Sequence, residues 1–140
     1  MRGRTPLGGV VMSRRPAAPD VPSGLPRSYL RPVLLLLLAE GAAHGYDLLE
    51  QINALGLDRT DPGGVYRGLR AMEREGLVHS WWEASPSGPA RRTYELTDEG
   101  RDWLHVWAGS LAEVHRTLGH YLVRYEALVE TTATRTPGRR

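Results

Sequence analysis

The chain has 140 residues, 18 of them basic and all of those arginine, against 16 acidic residues, with no cysteine and a formal net charge of +2. That size makes one domain with tails, and the lack of cysteine excludes a disulfide framework and a cysteine-based zinc site. The longest apolar run, residues 33–39 (VLLLLLA), is too short for a membrane span, and the N-terminal LGGVVM is too short for a signal peptide's hydrophobic region. The expectation is a cytoplasmic protein with no membrane partner.

Charge is segregated along the chain. Residues 1–32 hold six arginines against one acid and the last ten residues hold three arginines, whereas residues 33–130 hold nine arginines against fifteen acids. An acidic body of this kind binds nucleic acid only through a local basic face. Six of its nine arginines, Arg59, Arg67, Arg70, Arg74, Arg91 and Arg92, fall in one stretch.

Residues 1–27, rich in Pro, Gly and Arg without a sustained period, are expected to be a disordered basic arm, with Met12 as an alternative start. A first helix is expected over residues 28–40, with Pro32 tolerable in its first turn and Gly41 ending it. Its centre is apolar on every side, so something beyond its own domain should cover one side. A second helix, residues 44–55, presents Tyr46, Leu48, Leu49 and Ile52, and residues 56–60 turn into a third.

The stretch 61–78 (DPGGVYRGLRAMEREGLV) reads as a short helix with two opposed faces. Asp61 is a good N-cap and Pro62 fits the first helical position. At about 100° per residue, Val65, Leu69 and Met72 share one side. Arg67, Arg70 and Arg74 share the other, with Tyr66 at its edge, and Gly76 ends the helix. A short cationic helix with an apolar back is the shape that lies in a DNA major groove. Taken alone, it is equally an ordinary amphipathic surface helix.

The segment after this helix favours DNA. Residues 77–82 (LVHSWW) read as a strand, residues 83–90 (EASPSGPA) as a turn, and residues 91–96 (RRTYEL) as a second strand. The result is a β-hairpin with adjacent arginines at its base. Helix and hairpin in this order make a winged helix-turn-helix over residues 28–97, and the fold class is mainly α with a small β-hairpin. The wing would touch flanking backbone or minor groove. Arg91 and Arg92 are expected on phosphates, or one of them along Trp81 or Trp82 as a cation–π contact.

Thr97 then caps a long helix over residues 98–130, with Asp98 and Glu99 in its first turn. Leu104, Trp107, Leu111, Val114, Leu118, Tyr121, Tyr125 and Leu128 recur at spacings of three and four, a seven-residue repeat that buries itself against another helix. A winged-helix core has no free long helix to offer, so a homodimer is expected, the alternative being a helix folded back on its own domain. Trp103 and Trp107, four apart near the start of this helix, offer two π faces to a planar aromatic effector, or simply fill the core. Residues 131–140 are expected to be a disordered tail.

Four stretches, LLLLLAEGAAHGY (34–46), PGGVYRGLRAMEREGLV (62–78), GPARRTYEL (88–96) and LTDEG (96–100), resemble the PadR-type transcriptional regulators, in the shorter subtype with a single helix after the wing. The resemblance covers roughly residues 30–125. It implies a sequence-specific DNA-binding repressor released by a ligand or other signal. It also implies a dimer in which helix 1 of one subunit packs beside the partner's C-terminal helix, an inverted-repeat operator, and a cavity near Trp103 and Trp107 of the sort that holds planar aromatic compounds in multidrug-sensing members. One departure is Gly64, where the family commonly has a hydroxyl or other larger residue, which leaves the base preference open. The tryptophans at 103 and 107 vary among members.

Enzymatic readings find no phosphate loop, nucleophile elbow or HExxH, and His44, His79, His105, His115 and His120 have no metal-ligand spacing. No catalysis, cofactor or metal is therefore expected. The competitor from another class is a protein-interaction module that keeps the winged helix as scaffold.

Overall fold

The computed structural model describes residues 25–57 and 61–135. Most of the basic arm, Arg59 and the last five residues lie outside the described residues. A 3-10 turn, Arg27–Tyr29, leads into α1, Leu30–Glu40. Then come β1 (Ala43–His44), α2 (Gly45–Ala54), α3 (Pro62–Arg74), β2 (Val78–Ser85), β3 (Gly88–Leu96) and α4 (Asp98–Arg135). The chain is mainly helical, with an antiparallel sheet ordered β1-β3-β2 and a long C-terminal helix.

The sheet has one strand more than the hairpin expected from sequence. Ala43 pairs with Tyr94 and His44 with Thr93, so the residue expected to open helix 2 belongs to an edge strand. Two residues between helices are too few for a period-2 pattern to register. The hairpin turn is also tighter than expected, because β2 continues through Ser85 and β3 starts at Gly88. Pairing slips between Glu83↔Arg91 and Ser85↔Gly88, so that Pro89 and Ala90 oppose Ala84 alone. Such a bulge accommodates a proline that has no N–H for the ladder.

Leu34, Leu35, Leu48, Ile52, Val65, Leu69, Met72 and Val78 are fully buried and form one core with Tyr94 and Leu96. Tyr46, expected on the apolar side of helix 2, is 64 % exposed. It lies two positions from Leu48, about 200° round the helix, and so points away from the core. The joint to α4 is close-packed. Thr97 accepts the Gly100 N–H at 3.0 Å and donates to the Gly76 carbonyl at 2.7 Å. A Cβ on Gly100 would run into the Leu77 carbonyl oxygen and lie 2.7 Å from Leu96 Cδ1.

α4 leaves its own domain beyond Leu111. Leu104 and Trp107 pack against the core, Leu111 is half-buried, and the described residues from Ala112 to Thr134 are all exposed. The helix therefore does not fold back, and Val114, Leu118, Tyr121, Tyr125 and Leu128 face solvent in the single chain. It runs to Arg135, past residue 130 where the sequence pattern ends it, so residues 131–135 of the expected tail are helical. Leu36, on the outward side of α1, is likewise 43 % exposed.

Candidate nucleic-acid interface

α3 forms where its signals place it. Asp61, in extended conformation, accepts the Gly64 N–H on Oδ1 at 2.7 Å, and Pro62 opens the first turn. Val65, Leu69 and Met72 are buried, while Arg67, Arg70 and Arg74 are exposed on the opposite side. Among the described residues, no carboxylate lies within ion-pair distance of these three guanidinium groups. The Arg67 guanidinium reaches back along the first turn: a Cβ on Gly63 would lie 3.1 Å from its Nη1. A bare glycine pair at residues 63–64 leaves that space open.

Tyr66 is half-buried and has a packing role. Its ring lies against Gly45 at the start of α2, where a Cβ would meet the ring and come within 2.8 Å of the hydroxyl. Glycine at position 45 thus lets the two helices of the helix-turn-helix approach, and Tyr66 stays half-exposed beside the basic face.

The two wing arginines are differently engaged. Arg91 is exposed and in register with Glu83. Arg92 has its guanidinium carbon 5.1 Å from the Trp82 ring centroid, its Nε–H donated to Ser80 Oγ at 3.0 Å, and Nη2 4.0 Å from Glu73 Oε2. Of the two roles that sequence leaves open for this pair, Arg92 adopts the cation–π arrangement.

The outer face of the sheet is acidic. Glu83, Asp47 and Glu50 line a cleft with His44, Trp81 and Thr93. His44 sits 3.1 Å from Glu83 Oε1 and 3.5 Å from Asp47 Oδ2, and Thr93 donates to Glu83 Oε1 at 2.9 Å. The hydrogen bonds from His44 and then Thr93 hold the Glu83 carboxyl below its ordinary value. At the C-terminal end of α3, Arg31 grips Glu75 through two bonds of 2.6 and 3.1 Å, and that pairing lowers the Glu75 carboxyl in the same direction. His79 meets Glu95 at 2.8 Å and the edge of Trp81. Apart from the local His44–Asp47 contact, these side chains carry no sequence signature, because the pairs are brought together by strand register or by packing between elements far apart in the chain.

The tryptophan pair divides between two environments. Trp107 is half-buried on the core, Trp103 is 47 % exposed, and no ring contact joins them among the described residues. No cluster of three or more metal-ligating side chains occurs among the described residues, and no described helix is long and apolar enough to cross a membrane.

Comparison with known proteins agrees with this architecture. The family model for the transcriptional regulator PadR-like family matches residues 34–106. No match is found among curated proteins. A PadR-like transcriptional regulator from Bacillus cereus is 28 % identical and superposes with a TM-score of 0.63, over 69 % of this chain and 93 % of that one. A PadR family transcriptional regulator from Eggerthella lenta is 26 % identical with a TM-score of 0.58, over 69 % and 83 % of the two chains. A PadR family regulator from Clostridium difficile shares the fold at 24 % identity and a TM-score of 0.61, over 67 % of this chain and 98 % of that one.

Proposed function

The chain belongs to the PadR-like family of transcriptional regulators, and we propose that it is a homodimeric, sequence-specific repressor that reads an inverted-repeat operator with α3 and is released by a small-molecule effector. The observation that carries the DNA reading is the triplet Arg67, Arg70 and Arg74. All three are exposed, and unpaired among the described residues, on the side of α3 opposite the buried Val65, Leu69 and Met72, beside a wing that presents Arg91. A fixed helix with free guanidinium forks on its outer side suits base edges and phosphates alike.

The apolar face of α4 supports the dimer. It continues for more than three turns past the last residue packed on the core, and none of the described residues of its own chain covers it. A second copy supplies a helix of identical pattern, and two-fold pairing would set the reading helices on half-sites about one helical turn apart. We assign the effector to Trp103 and Trp107, where one indole rests on the core and the other stays accessible, a pair suited to a flat aromatic compound in the seam. Such a regulator acts on DNA in the cytoplasm, without enzymatic activity, cofactor or metal.

Footprinting the protein on the DNA upstream of its own gene tests the reading. A protected inverted repeat is expected. Arg67→Ala with Arg70→Ala should weaken operator binding by about 1–3 kcal/mol for each base-reading arginine, and should flatten the salt slope by about 0.9 for each phosphate that loses its arginine. Unchanged affinity and slope in the double variant would remove α3 from the interface.

A further inference from the structure

We propose that Arg92 is a positioning residue for DNA recognition: through Ser80 and Glu73 it fixes the angle of the wing against the reading helix, and Arg91 is left as the wing's guanidinium for DNA. The inference rests on the DNA-binding reading of α3 and the wing. It is carried by a chain of contacts across three elements.

Glu73 stands on α3 one turn after Arg70 and next to Arg74, at the margin of the basic face. Its Oε2 accepts from the Ser80 hydroxyl on β2 at 2.8 Å. The Ser80 oxygen in turn accepts the Arg92 Nε–H from β3 at 3.0 Å. Arg92 Nη2 closes the loop at 4.0 Å from the same Glu73 oxygen, and the Trp82 ring covers one side of the guanidinium. Strand register makes this possible, since Ser80↔Tyr94 and Trp82↔Arg92 bring residues 80, 82 and 92 to the α3 side of the sheet.

The position of this chain of contacts in the sheet gives it its consequence. β1 pairs only with Tyr94 and Thr93, so from Arg92 outward the wing is a two-stranded ribbon with no third strand to hold its twist. Two-stranded ribbons are marginal alone and vary widely in twist. The first residue of the unsupported part is the one tied to α3. Arg92 donates its Nε–H to Ser80, keeps Glu73 within ion-pair range and stacks on Trp82, so turning the whole guanidinium outward to a phosphate would break this set of contacts. Arg91, on the other face of the ribbon base, has Glu83 as a Coulombic neighbour and, among the described residues, no carboxylate within ion-pair distance; the Glu83 hydrogen bonds go to His44 and Thr93.

The test uses the full-length protein, an operator duplex found by footprinting and a scrambled duplex of the same length, with affinities measured over a salt series. Ser80→Ala and Arg92→Lys should each lower operator affinity about tenfold, leave binding to the scrambled duplex alone and keep the salt slope. Arg91→Ala should weaken both duplexes and flatten the slope by about 0.9 per phosphate contact. Glu73→Gln, which frees Arg92 from its counter-charge, should raise affinity for the scrambled duplex and steepen the slope, so that discrimination narrows. Lysine keeps the charge of Arg92 but cannot reproduce the guanidinium's fixed fork, so full recovery in Arg92→Lys would mean that charge alone matters and would overturn the proposal. A slope in Arg92→Ala as shallow as that in Arg91→Ala would do the same by making Arg92 a phosphate contact. A parent protein that binds neither duplex would instead bring down the DNA reading itself. Ser80→Ala, a small change at a half-buried site, guards against confusing the latch with misfolding, which circular dichroism would detect.

Discussion

Leu118→Asp is the sharpest test of the two-fold assembly, because the side chain touches nothing that its own domain needs. Leu118 is 56 % exposed in the single chain, so about half of it remains to be covered by a partner. Full burial of a leucine contributes about 1.5–3 kcal/mol, which leaves about 1 kcal/mol per copy to be forfeited. A carboxylate placed in the seam without a hydrogen-bonding partner adds about 1–3 kcal/mol per copy. Two symmetric copies bring the total to about 4 kcal/mol at the least, or about a thousandfold in the dimer dissociation constant. Sedimentation velocity over a concentration series should show a monomer where the parent is a dimer. The melting transition of the winged domain, followed by circular dichroism, should stay in place, and operator binding should fall with the dimer. An intact dimer would refute the seam. Unfolding of the winged domain would refute the independence of the outer part of α4 on which the magnitude depends.

The other predictions concern single positions. Gly100→Ala drives a Cβ into the Leu77 carbonyl and Leu96, so it should destabilise by about 1–3 kcal/mol or more in chemical denaturation. Gly109→Ala, with nothing within 4 Å of its added Cβ, should stabilise α4 by about 0.5–1 kcal/mol; equal effects at the two positions would contradict the packing. The Glu75 carboxyl is held below its ordinary 4.5 chiefly by the hydrogen bond from Arg31, so its contribution is present above pH 4.5 and lost as pH falls through the lower folded value. The stability gap between parent and Glu75→Gln should therefore shrink from pH 7 to strongly acidic solution, and a constant gap would discount the pair. Trp107→Ala should cost about 2 kcal/mol of domain stability and Trp103→Ala no more than about 0.5. If planar aromatic compounds quench the protein's fluorescence saturably and Trp103→Ala removes that response, the effector has its place; no quenching in the parent would leave both indoles as packing.

Much of the fold was legible because it is written in local periods. The two faces of α3, its Asp61 cap, its Gly76 stop and the long stripe of α4 are all patterns within one element, and spacing alone exposes them. What sequence could not supply were contacts set by register. A one-residue slip between β2 and β3 would carry Arg92 to the opposite face, away from Ser80 and Glu73, and nothing in the composition of EASPSGPA announces where pairing resumes beyond the bulge. Tyr66 shows a second limit. The helical wheel sets it at the rim of the basic face, but its ring is held against Gly45 by an approach of two helices that only the folded chain reveals.

Net charge is the least informative quantity of all, and the structure supplies the reason. The body of the chain is acidic, yet the described acids bordering α3 and the wing are committed to hydrogen bonds, one at the cap of α3 and the others to side chains on other elements. Glu73 accepts from Ser80 and faces Arg92, Glu75 is gripped by Arg31, Asp61 caps the Gly64 N–H, and Glu83 is bound by His44 and Thr93. Among the described residues, Arg67, Arg70 and Arg74 are left with no carboxylate in ion-pair contact, and they protrude from a helix whose other side is locked into the core. A free guanidinium at this surface is worth far more to a phosphate than one already paired, since binding then breaks no existing ion pair. The basic face is thus made less by an excess of arginine than by the removal of nearby acids into hydrogen bonds. The side chains that remove them, Arg31, Ser80, Arg92, His44 and Thr93, belong to the recognition surface although they need touch no DNA.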